Sequence, residues 1–233
     1  LTGKNEKKKH NLVRRIFAHT GRSYDFVVKA ATLWQDNRWK RRILEIAELC
    51  ENPERILDLA CGTGILTLAL AEQFPDSHVT GIDLQEEFIH YARAKKSEKA
   101  LKNVEFHKNP AEDVKEGQYD LITASYLPKY VDLAVVIGNC AKILRKGGLL
   151  IFHDFTFPKN PIFRFFYHVY WTFLKPILWL IAWKKMSKEL KRIIAETNWI
   201  DEIQETLKVH QFTDICVEVQ KFEVAAIVYA TKK

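Results

Sequence analysis

The sequence predicts an α/β fold, a doubly wound parallel sheet preceded by helices. Three observations predict it. Short apolar runs alternate with longer amphipathic ones from Arg55 onward, a glycine turn joins the first strand to the first helix of that series, and two adjacent strand-like runs close the chain. Ile56–Ala60, Val79–Leu84, Val104–His107, Tyr119–Ala124 and Leu149–His153 read as strands, rich in apolar and β-branched residues. Between them Ile65–Gln73, Glu86–Leu101 and Asp132–Leu144 read as helices, the last closed by Lys146-Gly147-Gly148. Such βαβ alternation implies parallel strands with helices on both faces. Thr197–His210 reads as a final helix. Ile215–Gln220 and Phe222–Ala230, with only Lys221 between them, read as an antiparallel hairpin.

Two segments stand outside the alternation. Residues 10–48 look helical and belong to a leader spanning 1–50, and residues 158–192 are inserted after the fifth strand. With no repeat and no low-complexity linker, residues 1–233 read as one domain. The insertion starts at Pro158 and Pro161, is interrupted by Pro176 and holds nine of the 28 aromatic residues. Its longest stretch without a charge, Phe165–Leu174, has ten residues, half of the roughly 20 that a membrane-spanning helix needs.

A hydrophobic share of 47% and a charged share of 28% exclude a disordered chain. The net charge of +7 is concentrated, with +5 in residues 1–15 and +6 in residues 161–192. Cys50, Cys61, Cys140 and Cys216 are scattered without CxxC or Cys/His spacing. That argues against a disulfide scaffold and a zinc site and predicts a reducing compartment. Residues 1–15 contain no apolar stretch of a secretion signal, so a cytoplasmic location is expected.

The chemistry centres on Asp58-Leu-Ala-Cys-Gly62-Thr63-Gly64, a strand running into a glycine turn that opens a helix. Glycines let the backbone approach a ligand, and helix-start N–H groups accept negative charge. Twenty-one residues after Gly62, Asp83 ends the second strand, followed by Leu84; a carboxylate there can take both ribose hydroxyls. A dinucleotide fingerprint wants a small residue where Thr67 stands. Asp58 would repel a pyrophosphate and suits a cationic ammonium. An amino-acid nucleoside with a sulfonium, S-adenosyl-L-methionine, answers both features. Cys61 has no base nearby in sequence and reads as a small residue fitting a tight turn.

The turn together with Asp83 resembles the cofactor site of class I S-adenosylmethionine-dependent methyltransferases over about residues 55–148. That resemblance implies a Rossmann-like, seven-stranded sheet with the last strand antiparallel. A narrower resemblance covers most of the chain. Tyr24-Asp25, Trp39-Lys40-Arg41, Asn103-Val-Glu-Phe, Leu149-Leu-Ile-Phe-His-Asp154-Phe and the helix Trp199–Leu207 are similar to the ubiquinone/menaquinone C-methyltransferase family. It implies that Thr63, Asp83, Ala111 and Ser125 contact the cofactor. Pro110 stands where the family carries Asp or Asn, which leaves adenine recognition to backbone groups or to Asn109 and Glu112. Lys129-Tyr130 stands where the family has Arg-Asn near the acceptor ring.

Methyl transfer from a sulfonium asks the protein for proximity and alignment, and a carbon acceptor also needs a proton removed. His153 and Asp154 end the fifth strand, on the edge where doubly wound folds bind ligands. Tyr24, Asp25 and Lys129 are the other catalytic candidates. Asp154 is favoured as the base because the resembling family keeps an acid there. Plainer roles are a backbone-bonded strand-end histidine and a turn cap. No metal is expected, since no His/Asp/Glu cluster has ligand spacing.

The expected reaction is methylation of a hydrophobic, lipid-tailed acceptor, a prenylated quinol. A phospholipid headgroup N-methyltransferase and a non-catalytic cofactor-binding protein are the alternatives. The insertion reads as a lid, a helix on an anionic membrane surface or an oligomer contact, or as plain core. Trp179 and Trp183 before Lys184-Lys185 have the composition of an interfacial anchor at the inner membrane face. No nucleic-acid partner is expected, because the basic residues sit beside long apolar runs.

Overall fold

The computed structural model describes residues 2–180 and 184–233. Residues 181–183 and the side chains of 2–9 and 174–188 fall outside that description. With them go the basic cluster Lys4, Lys7, Lys8 and Lys9 and the anchor of Trp179, Trp183, Lys184 and Lys185.

Three leader helices come first: α1 (Thr2–Phe17), α2 (Gly21–Ala31) and α3 (Gln35–Ala47). Then β1 (Arg55–Leu59), α4 (Ile65–Gln73), β2 (His78–Asp83), α5 (Glu86–Glu98), β3 (Val104–Lys108), β4 (Tyr119–Ser125), α6 (Leu133–Ile143) and β5 (Leu144–Phe155) alternate. The insertion forms α7 (Pro161–Leu180) and α8 (Lys184–Glu196). The chain ends with α9 (Trp199–Val209), β6 (Phe212–Val219) and β7 (Ala225–Lys232).

The seven strands form one sheet in the order β3-β2-β1-β4-β5-β7-β6. β1 to β5 are mutually parallel, and β7 runs antiparallel to both neighbours. The reversal at β1 and β4 puts a crevice at the carboxyl ends of these two strands, where open α/β sheets bind ligands. Each face carries a core. Ile122, Ile137, Phe152, Trp199 and Ile203 pack one side, and Ile43, Ile56, Leu68, Ile89 and Phe106 the other. Burial on both sides explains why apolar residues stand at consecutive positions of the inner strands, as at Leu121-Ile122 and Leu149-Leu150-Ile151-Phe152.

Two local expectations are corrected. α6 ends at Ile143, and Lys146-Gly147-Gly148 lies within β5. Leu144 pairs with Tyr119 but Leu149 with Leu121, so the extra residues bulge out of the strand. Gly147 turns there at φ +78°. α7 also continues through Pro176, which the sequence suggested would interrupt it.

The insertion packs on the leader. Tyr167, Trp171 and Ile194 join Ile16 and Val27 in a third apolar cluster over the strand ends, and the Tyr170 hydroxyl donates to the carbonyl of Ala31. Phe166 and Phe173, from the same aromatic series, are 61% and 71% exposed. The inner side of α7 is therefore core and its outer side is not. Among the described residues, no helix is long and apolar enough to cross a membrane.

Candidate active site

The turn after β1 is held by its neighbours in space. Gly62 adopts φ +55° and Gly64 φ +82°, conformations that cost a side-chain-bearing residue free energy. The Gly62 N–H donates to Asp83 Oδ2 at 2.9 Å, and Asp83 Oδ1 accepts the Gln85 N–H at 2.8 Å. Asp83 thereby fixes the turn and still lines the main cavity, beside Leu84. Asp58 lies under the turn. Its carboxylate accepts the Thr67 hydroxyl at 2.6 Å and the Thr123 hydroxyl at 2.8 Å. Burial pushes both carboxyls up, Asp58 to about 6 and Asp83 to about 6, against hydrogen bonds that favour the charged forms.

Two adjoining cavities open at these strand ends. The larger encloses about 1050 Å³ counted to its open mouth. Gly62, Asp83, Leu84, Pro110, Ala111 and Ser125 line it, all expected at the cofactor. Most of its remaining wall is apolar and comes from the leader, α5 and the chain from β4 to β5, including Phe17, Val27, Phe88, Leu127, Val131 and Phe155. The smaller cavity holds Asp58, Cys61, Gly62, Thr63 and Ser125 with Tyr24 and Asp25.

The catalytic candidates part company here. Tyr24 lines both cavities, and burial with nearby carboxylates raises its hydroxyl far above the usual tyrosine range. Asp25 accepts from the Thr63 hydroxyl and pairs with Lys95. His153 and Asp154 point to opposite sides of β5, as strand alternation demands, and neither lines a described cavity. The His153 Nδ1 lies 2.9 Å from Ser125 Oγ, and its ring packs on Trp39 and Tyr126. Burial pulls it well below the ordinary histidine range. The Asp154 carboxylate accepts the Lys129 ammonium, the Lys129 N–H and the Phe155 N–H. Lys129 lines the larger cavity, while its Nζ is caged by the rings of Tyr126, Tyr130 and Phe155 at 5.5, 4.6 and 5.3 Å from their centroids.

The sequence reading did not assign several residues to this region. Asp36, from α3, accepts both the Tyr126 hydroxyl and the Lys40 ammonium. His10 of α1 reaches across to Glu112 at 3.1 Å. Their separations in sequence, 90 and 102 residues, leave no local signal.

The arrangement fits S-adenosylmethionine on its own terms. A Cβ added to Gly62 would meet only the Tyr24 ring, at 3.9 Å, so the turn offers backbone to a ligand over open space. Asp83 brings a carboxylate to the cavity beside the turn, a group that can take ribose hydroxyls. Glu112, 4% exposed in the wall beyond Ala111, has an Oε1 without a hydrogen-bond partner, an acceptor open to an adenine amino group. Asp58 brings negative charge to the smaller cavity, which suits an ammonium. This sheet and site define a class I S-adenosylmethionine-dependent methyltransferase.

The comparisons with known proteins agree. A family model described as a methyltransferase domain matches residues 51–223, and the chain belongs to that family. It is 31% identical over 166 residues to a demethylmenaquinone methyltransferase of Thermus thermophilus, covering 70% of this chain and 74% of the relative. A demethylmenaquinone methyltransferase of Staphylococcus aureus is 25% identical over 220 residues, covering 86% and 88%. Among solved structures, geranyl diphosphate C-methyltransferase from Streptomyces coelicolor, in complex with Mg2+, geranyl diphosphate and S-adenosyl-L-homocysteine, superimposes with a TM-score of 0.63. It is 11% identical, over 85% of this chain and 79% of its own, and shares the fold.

Proposed function

We propose that this methyltransferase methylates a ring carbon of a prenylated quinol. The observation that carries the reading is the larger cavity, which joins the cofactor turn to long apolar walls with one buried ammonium, Lys129, at their edge. The curated relatives named for demethylmenaquinone methylation support the same acceptor class.

Bound S-adenosylmethionine supplies an activated methyl group. The chain supplies the rest. Phe17, Phe88 and Leu127 offer apolar surface that excludes water from a flat ring, and confinement beside the Asp58–Gly64 turn provides alignment. A quinol carbon becomes nucleophilic as its neighbouring hydroxyl gives its proton to solvent at the open cavity mouth. After methyl transfer the ring C–H proton leaves the same way and restores the aromatic quinol. The Lys129 charge, held by Asp154 behind the cavity wall, favours the phenolate form across a low-dielectric gap. Neither Asp154 nor His153 needs to touch the acceptor for this. Both act from behind, Asp154 on Lys129 and His153 on Ser125.

A lipid-tailed acceptor enters from a membrane surface, and the exposed side of the insertion suits that contact. Ile162, Phe165, Phe166 and Phe173 project from α7, and Leu33 and Trp34 project just past Ala31, the residue tied to Tyr170. Arg14 and Arg15, exposed on α1, add positive charge for anionic headgroups.

The test is incubation of the protein with labelled cofactor and a reduced, short-tailed demethylated quinol, followed by mass spectrometry. Methyl label on a ring carbon is the expected result. Label on an aminophospholipid and on no quinol would replace this acceptor with a headgroup amine. Cofactor binding without transfer to any lipid would leave a binding protein.

A further inference from the structure

We infer that Lys40, held by Asp36, is the binding site for the carboxylate of the cofactor's methionyl end. The inference rests on the identity of the cofactor and is independent of the acceptor.

S-adenosylmethionine presents three charges at that end: an ammonium, a carboxylate and the sulfonium. The smaller cavity lies beside the glycine turn, opposite the adenine wall, and Asp25, Asp36 and Asp58 make it acidic. Asp25 is already engaged by Lys95 and the Thr63 hydroxyl. Asp36 is engaged by Lys40 and the Tyr126 hydroxyl, so Asp58 remains to answer the ligand's ammonium. The ligand's carboxylate needs a donor of opposite sign, and among the described residues Lys40 is the cation lining this cavity. Its charge is close enough to the Asp58 carboxyl to oppose the rise that burial imposes there.

The geometry prepares Lys40 for the task. Its side chain is 15% exposed and that of Asp36 is 2% exposed, so the buried carboxylate fixes one of the three ammonium donors. The Nζ lies 5.4 Å from the centroid of the Tyr126 ring, and the Tyr126 hydroxyl donates to Asp36 at 2.8 Å. Tyr126 itself is held at φ +63° directly after Ser125, so the ion pair is braced from β4 as well as α3. Lys40 also stands one turn along the helix from Asp36, the spacing at which two side chains share a face. Counting Asp36, Lys40 and Asp58 as ionised, the protein offers one net negative charge to a ligand end carrying one net positive charge.

The test deletes each partner separately. Calorimetric titrations would compare S-adenosylhomocysteine with its decarboxylated analogue on the wild-type chain, Lys40→Met and Lys40→Arg. The wild-type chain is expected to prefer the carboxylated ligand ten-fold or more. Lys40→Met should lose that preference by binding S-adenosylhomocysteine ten-fold or more weakly, with the analogue within two-fold of wild type. Lys40→Arg should keep the preference. Equal weakening of both ligands would reduce Lys40 to a structural residue, and no preference in the wild-type chain would remove the carboxylate site; either overturns the inference. If Lys40→Met does not fold, Lys40→Gln, which keeps a donor for Asp36, enters the same comparison. A wild-type chain that binds neither ligand would instead refute the cofactor assignment.

Discussion

The Lys129 ammonium meets the Asp154 carboxylate where water does not reach, with side chains 1% and 0% exposed. Burial pulls the lysine below its ordinary range and pushes the carboxyl above its own, and each is restrained by the other's charge. Removing one member strands the other. Asp154→Ala should destabilise the fold by about 3–5 kcal/mol, whereas the double change Lys129→Met with Asp154→Leu should recover most of that loss. Denaturant unfolding of Asp154→Ala measures the first, and a cycle of the wild-type chain, Lys129→Met, Asp154→Leu and the double variant measures the second. Simple additivity would show that the pair is not coupled.

Turnover should separate Lys129 from the cofactor. Lys129→Met is expected to lower kcat on a reduced quinol about 100-fold and to move the alkaline rise of its pH profile upward, because the phenolate loses its stabilising charge. Affinity for S-adenosylhomocysteine should stay within about two-fold. A wild-type pH profile in the variant would remove Lys129 from the chemistry.

Asp58 and Asp83 give folding and binding opposite responses to pH. Each is held near 6 in the folded chain, above the ordinary carboxylate value of 3.8. The folded state therefore holds these protons more tightly than the unfolded state. Their contribution to stability is complete below about pH 4 and is lost as pH rises through about 6. A ribose and an ammonium want the ionised forms, so S-adenosylhomocysteine should bind more weakly as pH falls below about 6, by up to about ten-fold per unit for each carboxyl. Melting and titration series from pH 4 to 8 test the two slopes; parallel slopes would contradict this account. At fixed pH, Asp83→Ala should cost ten-fold or more in affinity.

Gly64 faces a steric as well as a conformational limit. A Cβ there would approach the Ala92 Cβ and the Phe106 ring at 3.0 Å, from a backbone at φ +82°. Gly64→Ala should destabilise the protein by about 1–3 kcal/mol and loosen cofactor binding, read by thermal melting with and without S-adenosylhomocysteine. Unchanged melting would mean that the turn relaxes freely.

Vesicle flotation tests the outer side of the insertion. The wild-type chain should float with anionic liposomes, less so as salt screens its basic residues, and Phe166→Ser with Phe173→Ser should float less. Equal flotation of both proteins would move the contact elsewhere.

Much of the sheet was legible because its signals are local. The β1 run, the glycine turn and Asp83 all fall between Arg55 and Asp83, and each is set by backbone geometry or by burial. The bulge in β5 was misread because a basic residue followed by two glycines ends helices as readily as it bends strands. Gly148 betrays the difference only in three dimensions, where a Cβ would meet the carbonyls of Arg145 and Asp120 at 2.8 and 2.9 Å. Sequence adjacency placed His153 and Asp154 at the right strand end without revealing that Ser125 and Lys129 screen them from the cavity. The Lys40–Asp36 pair was written in one helix, but its position beside Asp58 depends on how α3 docks.

The walls of the larger cavity have two origins. Backbone turns at the ends of the parallel strands frame its cofactor end, while Phe17, Val27 and Leu190 come from helices outside the alternating core. Substitutions in the leader and insertion can thus reshape the room for an acceptor without moving the Asp58–Asp83 turn. Such a division lets a lineage exchange one methyl acceptor for another while inheriting its methyl donor intact.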